Sequence, residues 1–237
     1  MHQFEVTPLI KIPLGGIDAH FTNSSLWMVI GVALILIVML ASSRKLVPGR
    51  LQSVAELGYE FVANMLRDTV GDAGRPYFPF IFTLFVFILA MNMQGMLPGS
   101  FTVTSHIIVT FAMALAVFIG ATIIGFIKHG FGYLKLFVPS GVPSVLLPLL
   151  VVIEVISYFT RPISLSVRLF ANMMAGHTML KVFGGFVVGL GVLAGWVPLA
   201  VMVAITGLEV LVAFLQAYVF AVLTCIYLND AIHMHDH

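Results

Sequence analysis

The chain is poor in charge and in cysteine, and it lacks several of the usual catalytic signatures. Only 9% of its 237 residues are Asp, Glu, Lys or Arg, against roughly 25% in a soluble domain. With 60% hydrophobic residues and a mean hydropathy of +1.10, it reads as a membrane protein embedded in a lipid bilayer. A net charge of +1 gives no basic surface for nucleic acid. The single cysteine, Cys225, excludes an internal disulfide. No G-x-x-x-x-G-K-S/T loop occurs, so nothing points to nucleotide hydrolysis by this chain. No internal repeat is visible, which argues against a transporter built from inverted halves. The N-terminus lacks a basic leader region, so no cleavable signal peptide is expected. The tail His233-Met234-His235-Asp236-His237 could hold a metal by composition, but a solvated terminus is the expected reading, and neither metal nor cofactor is implied.

What is present is a series of long apolar runs within one membrane domain. Residues 1–25 read as an exposed lead-in with Pro8, Pro13 and Gly15-Gly16 as breakers. Spans are expected at residues 26–41, 77–97 and 105–127. Residues 50–70 are too polar to span. Leu51, Val54, Gly58, Phe61, Met65 and Thr69 recur at three- and four-residue steps, opposite Glu56, Glu60 and Arg67, as in an amphipathic helix at the membrane surface or against the bundle. Residues 142–180 and 198–228 are too long for upright spans: at ~1.5 Å per residue they reach roughly 58 and 46 Å, against a hydrocarbon core of ~30 Å. Pro148 and Pro162 can bend the first, and Gly184 to Gly195 would form the turn between two steeply tilted helices. The fold class is therefore all-α, with five crossings, one interfacial helix and a tail over residues 229–237. Arg44, Lys45, Arg50, Arg67, Arg75, Lys128 and Lys135 crowd one side, which predicts an external N-terminus and a cytoplasmic C-terminus.

Ionisable residues inside these runs are the functional candidates, because charge in a bilayer is costly. Glu154, Arg161 and Arg168 are spaced seven and seven, so they fall on one helical face, with Asn172 one turn beyond Arg168. Ser157, Ser164 and Ala171 repeat beside them as a strip of small residues that admits a close neighbour. His177 falls on the far side from Arg168. Glu209 and Gln216 share a face of the last helix, with Tyr227 near it. Antiparallel pairing would set Gln216 near Arg168 and Glu209 near His177. A histidine and a carboxylate can both exchange protons near neutral pH, whereas a guanidinium is a permanent cation. For Arg168 the bland alternative is a static ion pair with Glu154 or Glu209. A self-contained proton- or sodium-coupled transporter and an intramembrane metalloenzyme are rival readings. The second lacks a third ligand at recognisable spacing.

Arg168-Leu169-Phe170-Ala171-Asn172, with Ala175-Gly176-His177, then Glu209, then Leu215-Gln216-Ala217-Tyr218-Val219-Phe220 and Tyr227-Leu228, resemble the signature of subunit a of the F-type rotary ATP synthases. Met91-Asn92-Met93 and Leu97-Pro98 extend the likeness. His before Glu is similar to the alphaproteobacterial and mitochondrial branch; in some other bacterial members the two are exchanged. The resemblance implies a non-catalytic, proton-translocating stator whose two tilted helices face a ring of c subunits. Peripheral-stalk b-type subunits and the rest of the ATP synthase complex would be its other partners, in a bacterial inner membrane or alternatively a mitochondrial one. It implies that Arg168 separates two half-channels and drives proton exchange at the ring carboxylates. Asn172, His177, Glu209 and Gln216 would line the periplasmic path, and Glu154 the cytoplasmic one. Arg161, His106 and Tyr227 are further candidates, His106 standing where many members carry an acidic residue.

Overall fold

The computed structural model describes residues 8–14, 17–41, 49–97, 100–138 and 146–233. Arg44, Lys45, Pro98-Gly99, Pro139-Ser140-Gly141, the start of the expected 142–180 helix and residues 234–237 of the His-rich tail lie outside the described residues.

Two strands, β1 (Pro8–Leu14) and β2 (Ile17–Thr22), pair antiparallel from Pro8↔Thr22 to Leu14↔Ile17. The expected lead-in thus contains a hairpin. Ile10, Ile12 and Leu14 alternate with period two before Gly15-Gly16, and two prolines are tolerated because both strands are edges.

Six α-helices follow among the described residues: α1 (Asn23–Ala41), α2 (Arg50–Val70), α3 (Phe78–Gly95), α4 (Ile107–His129), α5 (Leu147–Ala194) and α6 (Trp196–Ile232). Among the described residues, five runs are long and apolar enough to cross a membrane: Asn23–Leu40, Asp72–Gly95, Ile107–Leu134, Leu147–Gly191 and Trp196–Ile232. This is an all-α multi-span membrane protein with a small hairpin in front. Helix α6 is central, packing on α2, α3, α4 and α5. The core joins Ile81, Phe85 and Ile88 of α3 to Leu165 and Leu169 of α5 and to Ala217, Phe220 and Ala221 of α6. Alanines on α6 let its neighbours approach closely, which is how apolar helices associate where lipid offers no hydrophobic driving force.

Helix α2 packs against α3 and α6, but its buried face is Val62, Met65, Leu66 and Val70. Of the expected stripe, Val54 is exposed and Phe61 sits at the margin, its ring 5.8 Å from those of Phe85 and Phe214. Three- and four-residue steps define a stripe only to within about one residue, and the neighbours choose which edge is covered.

At ~1.5 Å per residue α5 and α6 extend roughly 72 and 56 Å, so neither fits upright in a hydrocarbon core of ~30 Å. Residues 184–190, expected within the linking turn, remain helical. The backbone breaks at Gly191, whose φ of 61° suits glycine, and α5 gives way to α6 at Gly195. Pro148 lies in the first turn of α5, where its missing N–H costs nothing, and Pro162 sits inside continuous helix.

Candidate functional site

Two polar clusters flank the α5–α6 pair, one toward each end of the bundle. The first lies where α3 gives way to α4. After α3 the chain folds back into the protein: Ser100, Phe101, Thr102, Val103, Thr104 and Ser105 are all buried, and residues Val103–Ser105 form a tight 3-10 turn against α3, α4 and α5. Hydroxyl side chains satisfy part of this buried backbone. Ser100 donates to the Gln94 and Leu97 carbonyls at 2.6 and 2.7 Å, and Ser105 to the Thr102 carbonyl at 2.7 Å.

Facing this segment, His177 of α5 is buried, with Nε2 3.2 Å from the Thr102 hydroxyl. Asn92 of α3 is fully buried and donates to the Ala213 carbonyl of α6 at 3.2 Å. Gln94 donates to the Trp27 carbonyl at 3.2 Å, tying α1 to the cluster. Asn172 of α5 donates to Gln216 Oε1 of α6 at 2.8 Å. The Glu209 carboxylate rests directly against Gly176, in the space a Cβ would fill. A glycine is therefore required at position 176 for α6 to bring a carboxylate this close to α5.

Six buried atoms around this cluster have no hydrogen-bond partner among the described residues: Asn92 Oδ1, Gln94 Oε1, Thr104 Oγ1, His106 Nε2, Glu209 Oε2 and Gln216 Nε2. Each costs about 1–3 kcal/mol if left dry. Together they leave hydrogen-bonding capacity at this end of the bundle that ordered water can meet.

The second cluster lies where α4 ends and α5 begins, and its polar groups are paired. Arg161 makes a 3.0 Å ion pair with Asp230 of α6, both about a quarter exposed. Its guanidinium also sits 5.5 and 5.4 Å from the Tyr158 and Tyr227 ring centres. The Tyr158 hydroxyl bonds Thr122 of α4 at 2.6 Å and Tyr133 at 3.1 Å. His129 Nε2 meets the Ile232 carbonyl at 3.2 Å.

Between the clusters stands Arg168, exposed on α5, with no hydrogen bond or ion pair among the described residues. Val167, Ala171, Met174 and Ala175 beside it are exposed too, as are Leu208, Leu211 and Leu215 on α6. Ser157 and Ser164, of the expected small-residue strip, are likewise exposed.

The structure thus brings together Asn172 and Gln216, and sets Glu209 beside Gly176, next to His177. It does not join Gln216 to Arg168 or His177 to Glu209 by a hydrogen bond: Gln216 bonds Asn172, and His177 turns to Thr102. Arg168 is not in the static ion pair weighed for it. Arg161 leaves the charged stripe to join Asp230, and Tyr227 accompanies it. Glu154 is half-buried and forms no ion pair among the described residues. His106 is the residue just before α4, its ring stacked on Phe101 with ring centres 4.9 Å apart, and burial lowers its pKa from the ordinary histidine value. Among the described residues, no group of three or more His, Cys, Asp or Glu could hold a metal ion.

Sequence reasoning missed Thr102 and Asp230. The first lies in a hydroxyl-rich run, Ser100 to Ser105, that reads as an ordinary loop. The second was assigned to the tail, although Tyr227 and Asp230 are one helical turn apart.

Comparison with known proteins gives the family. The sequence profile described as ATP synthase A chain matches residues 25–229. The chain is 64% identical to the ATP synthase subunit a of Pelagibacter ubique (strain HTCC1062) over 238 residues, covering 99% of this chain and 98% of that one. It is 63% identical to the subunit a of Chelativorans sp. (strain BNC1), covering 98% and 97%. It is 58% identical to the subunit a of Rhodospirillum rubrum, covering 99% and 98%. With the match spanning the buried polar seam, the exposed arginine and nearly the whole chain, this protein belongs to the ATP synthase A chain family.

Proposed function

We propose that the chain is the stationary, non-catalytic proton-conducting subunit of an F-type ATP synthase in a bacterial inner membrane. The observation that carries this reading is Arg168, exposed among apolar residues of the long helices and without an ion pair among the described residues. An arginine facing lipid costs about 2.5–3.5 kcal/mol or more near the bilayer centre. A partner that presents a carboxylate would relieve that cost. The ring of c subunits is such a partner, and the small exposed Ser164, Ala171 and Ala175 leave room for its helices.

On this reading protons pass through the polar seam between α3, the buried 100–105 segment, α5 and α6, with His177 and Glu209 as carriers and Asn172 and Gln216 as hydrogen-bonding guides. They load a ring carboxylate, and Arg168, a cation that does not release its own proton, makes each arriving carboxylate discharge. Glu154 serves the second half-channel, on the cytoplasmic side. The b-type subunits hold the chain stationary. The N-terminus is periplasmic.

The test uses the whole complex in sealed vesicles, following ATP-driven acidification. Arg168→Ala is expected to abolish pumping while the complex remains assembled. Pumping at the normal rate would overturn the reading.

A further inference from the structure

We infer that Thr102 is a positioning residue that fixes the tautomer of His177, and so decides which ring nitrogen takes up a proton; this rests on the proton-path reading above. Thr102 is fully buried in the segment between α3 and α4. Its hydroxyl donates to the Gly95 carbonyl at 3.4 Å and lies 3.2 Å from His177 Nε2. A hydroxyl has one hydrogen, and a carbonyl can only accept. We assign that hydrogen to the Gly95 carbonyl, which can only accept; the Thr102 oxygen then meets His177 as an acceptor and Nε2 carries the hydrogen. In a neutral imidazole the remaining lone pair is then on Nδ1.

The proton balance is simple. An arriving proton binds the Nδ1 lone pair and the ring becomes a cation. Release of that proton from Nδ1 restores the neutral ring. Nε2–H stays directed at Thr102 in both states, so the ring need not flip between uptake and release.

Gly95 supports the arrangement. A Cβ there would come within 2.8 Å of Thr102 Cγ2 and 3.2 Å of its Oγ1. Any side chain at position 95 would push the hydroxyl away from its partners. The bare α3 terminus therefore seats the threonine between a backbone carbonyl and the histidine.

The experiment uses the assembled complex labelled with 15N-histidine. Solid-state NMR would read the His177 ring nitrogens, assigned by the signal lost in His177→Gln. ATP-driven acidification is measured on the same preparations. The wild type is expected to carry hydrogen on Nε2 when neutral. Thr102→Ser, which keeps the hydroxyl, should retain that signal and most of the pumping. Thr102→Val, which keeps the shape without the hydroxyl, should move hydrogen to Nδ1 and slow pumping roughly tenfold or more. A wild-type signal with hydrogen on Nδ1 overturns the inference without any variant. So does a serine variant that fails as badly as valine, since packing would then be the cause. Normal pumping by His177→Gln would instead overturn the path reading, and with it any transport role for Thr102.

Discussion

The two ends of the α5–α6 pair are built from similar residues to opposite effect. At one end Arg161, Asp230, Tyr158, Tyr227, Tyr133 and Thr122 are linked by an ion pair, hydrogen bonds and ring contacts. At the other, Asn92, Gln94, Thr104, His106, Glu209 and Gln216 each keep a buried atom without a partner among the described residues. A satisfied polar network stiffens a helix pair and resists rearrangement. An unsatisfied one holds its groups ready for water or a passing proton. The difference teaches that polarity inside a membrane protein does not identify a path; unmet hydrogen-bonding capacity does so better. On that basis Arg161 and Asp230 form a latch between α5 and α6, whereas Glu209 and Gln216, with unmet polar atoms, fall on the side where the proposed function puts the proton path.

The sharpest way to break the comparison is to fill the space at Gly176. Gly176→Ala would set a methyl group on the Glu209 carboxylate and displace it. Misplacing a reacting group by about 1 Å can cost on the order of 100-fold, so proton pumping by the assembled complex should fall by about that much. Retained pumping would show that the position of Glu209 does not matter.

An intermediate effect is expected at the latch. Asp230→Asn removes the charged partner of Arg161 and should destabilise the protein by about 1–3 kcal/mol. Thermal unfolding of the purified complex in detergent would report it. Pumping per assembled complex should change far less than in Gly176→Ala. If pumping falls as steeply while stability holds, the latch is part of the path and the two ends are not different in kind.

The smallest effect concerns His106. Burial lowers its pKa below the ordinary 6.5, so the folded protein disfavours the charged ring. Below pH 6.5 the unfolded chain then binds more protons than the folded one at this site, and stability falls with pH until the folded ring also titrates. Above 6.5 the contribution is complete. Melting curves between pH 5 and 7, conditions set by that window, should show a shallower acid loss for His106→Gln than for the wild type. Parallel curves would mean that this ring does not contribute.

Much of this was legible in the sequence. Hydropathy located the apolar runs, because each must bury or face lipid along its length. The nine-residue separation put His177 on the other side of α5 from Arg168: one is buried, the other exposed. Spacing along a helix was not sufficient to pair side chains across helices. It placed Gln216 at Arg168, but Gln216 bonds Asn172, one turn beyond Arg168. It placed Glu209 at His177, but the segment between α3 and α4 folds inward and supplies Thr102. A run of serines and threonines reads as a solvated loop unless its burial is known. The tail assignment hid Asp230 because helix ends carry weak periodic signals.

The central claim is that Arg168 is an exposed cation reserved for a partner's carboxylates, standing between two separate routes for protons. The most direct measurement is passive proton flux through the assembled complex in vesicles under an imposed potential, comparing wild type with Arg168→Ala. Arg168→Ala is expected to leak more, because the charge that keeps the two routes apart is gone. Wild-type passive flux in a variant that also still pumps would contradict the claim and make Arg168 a structural cation.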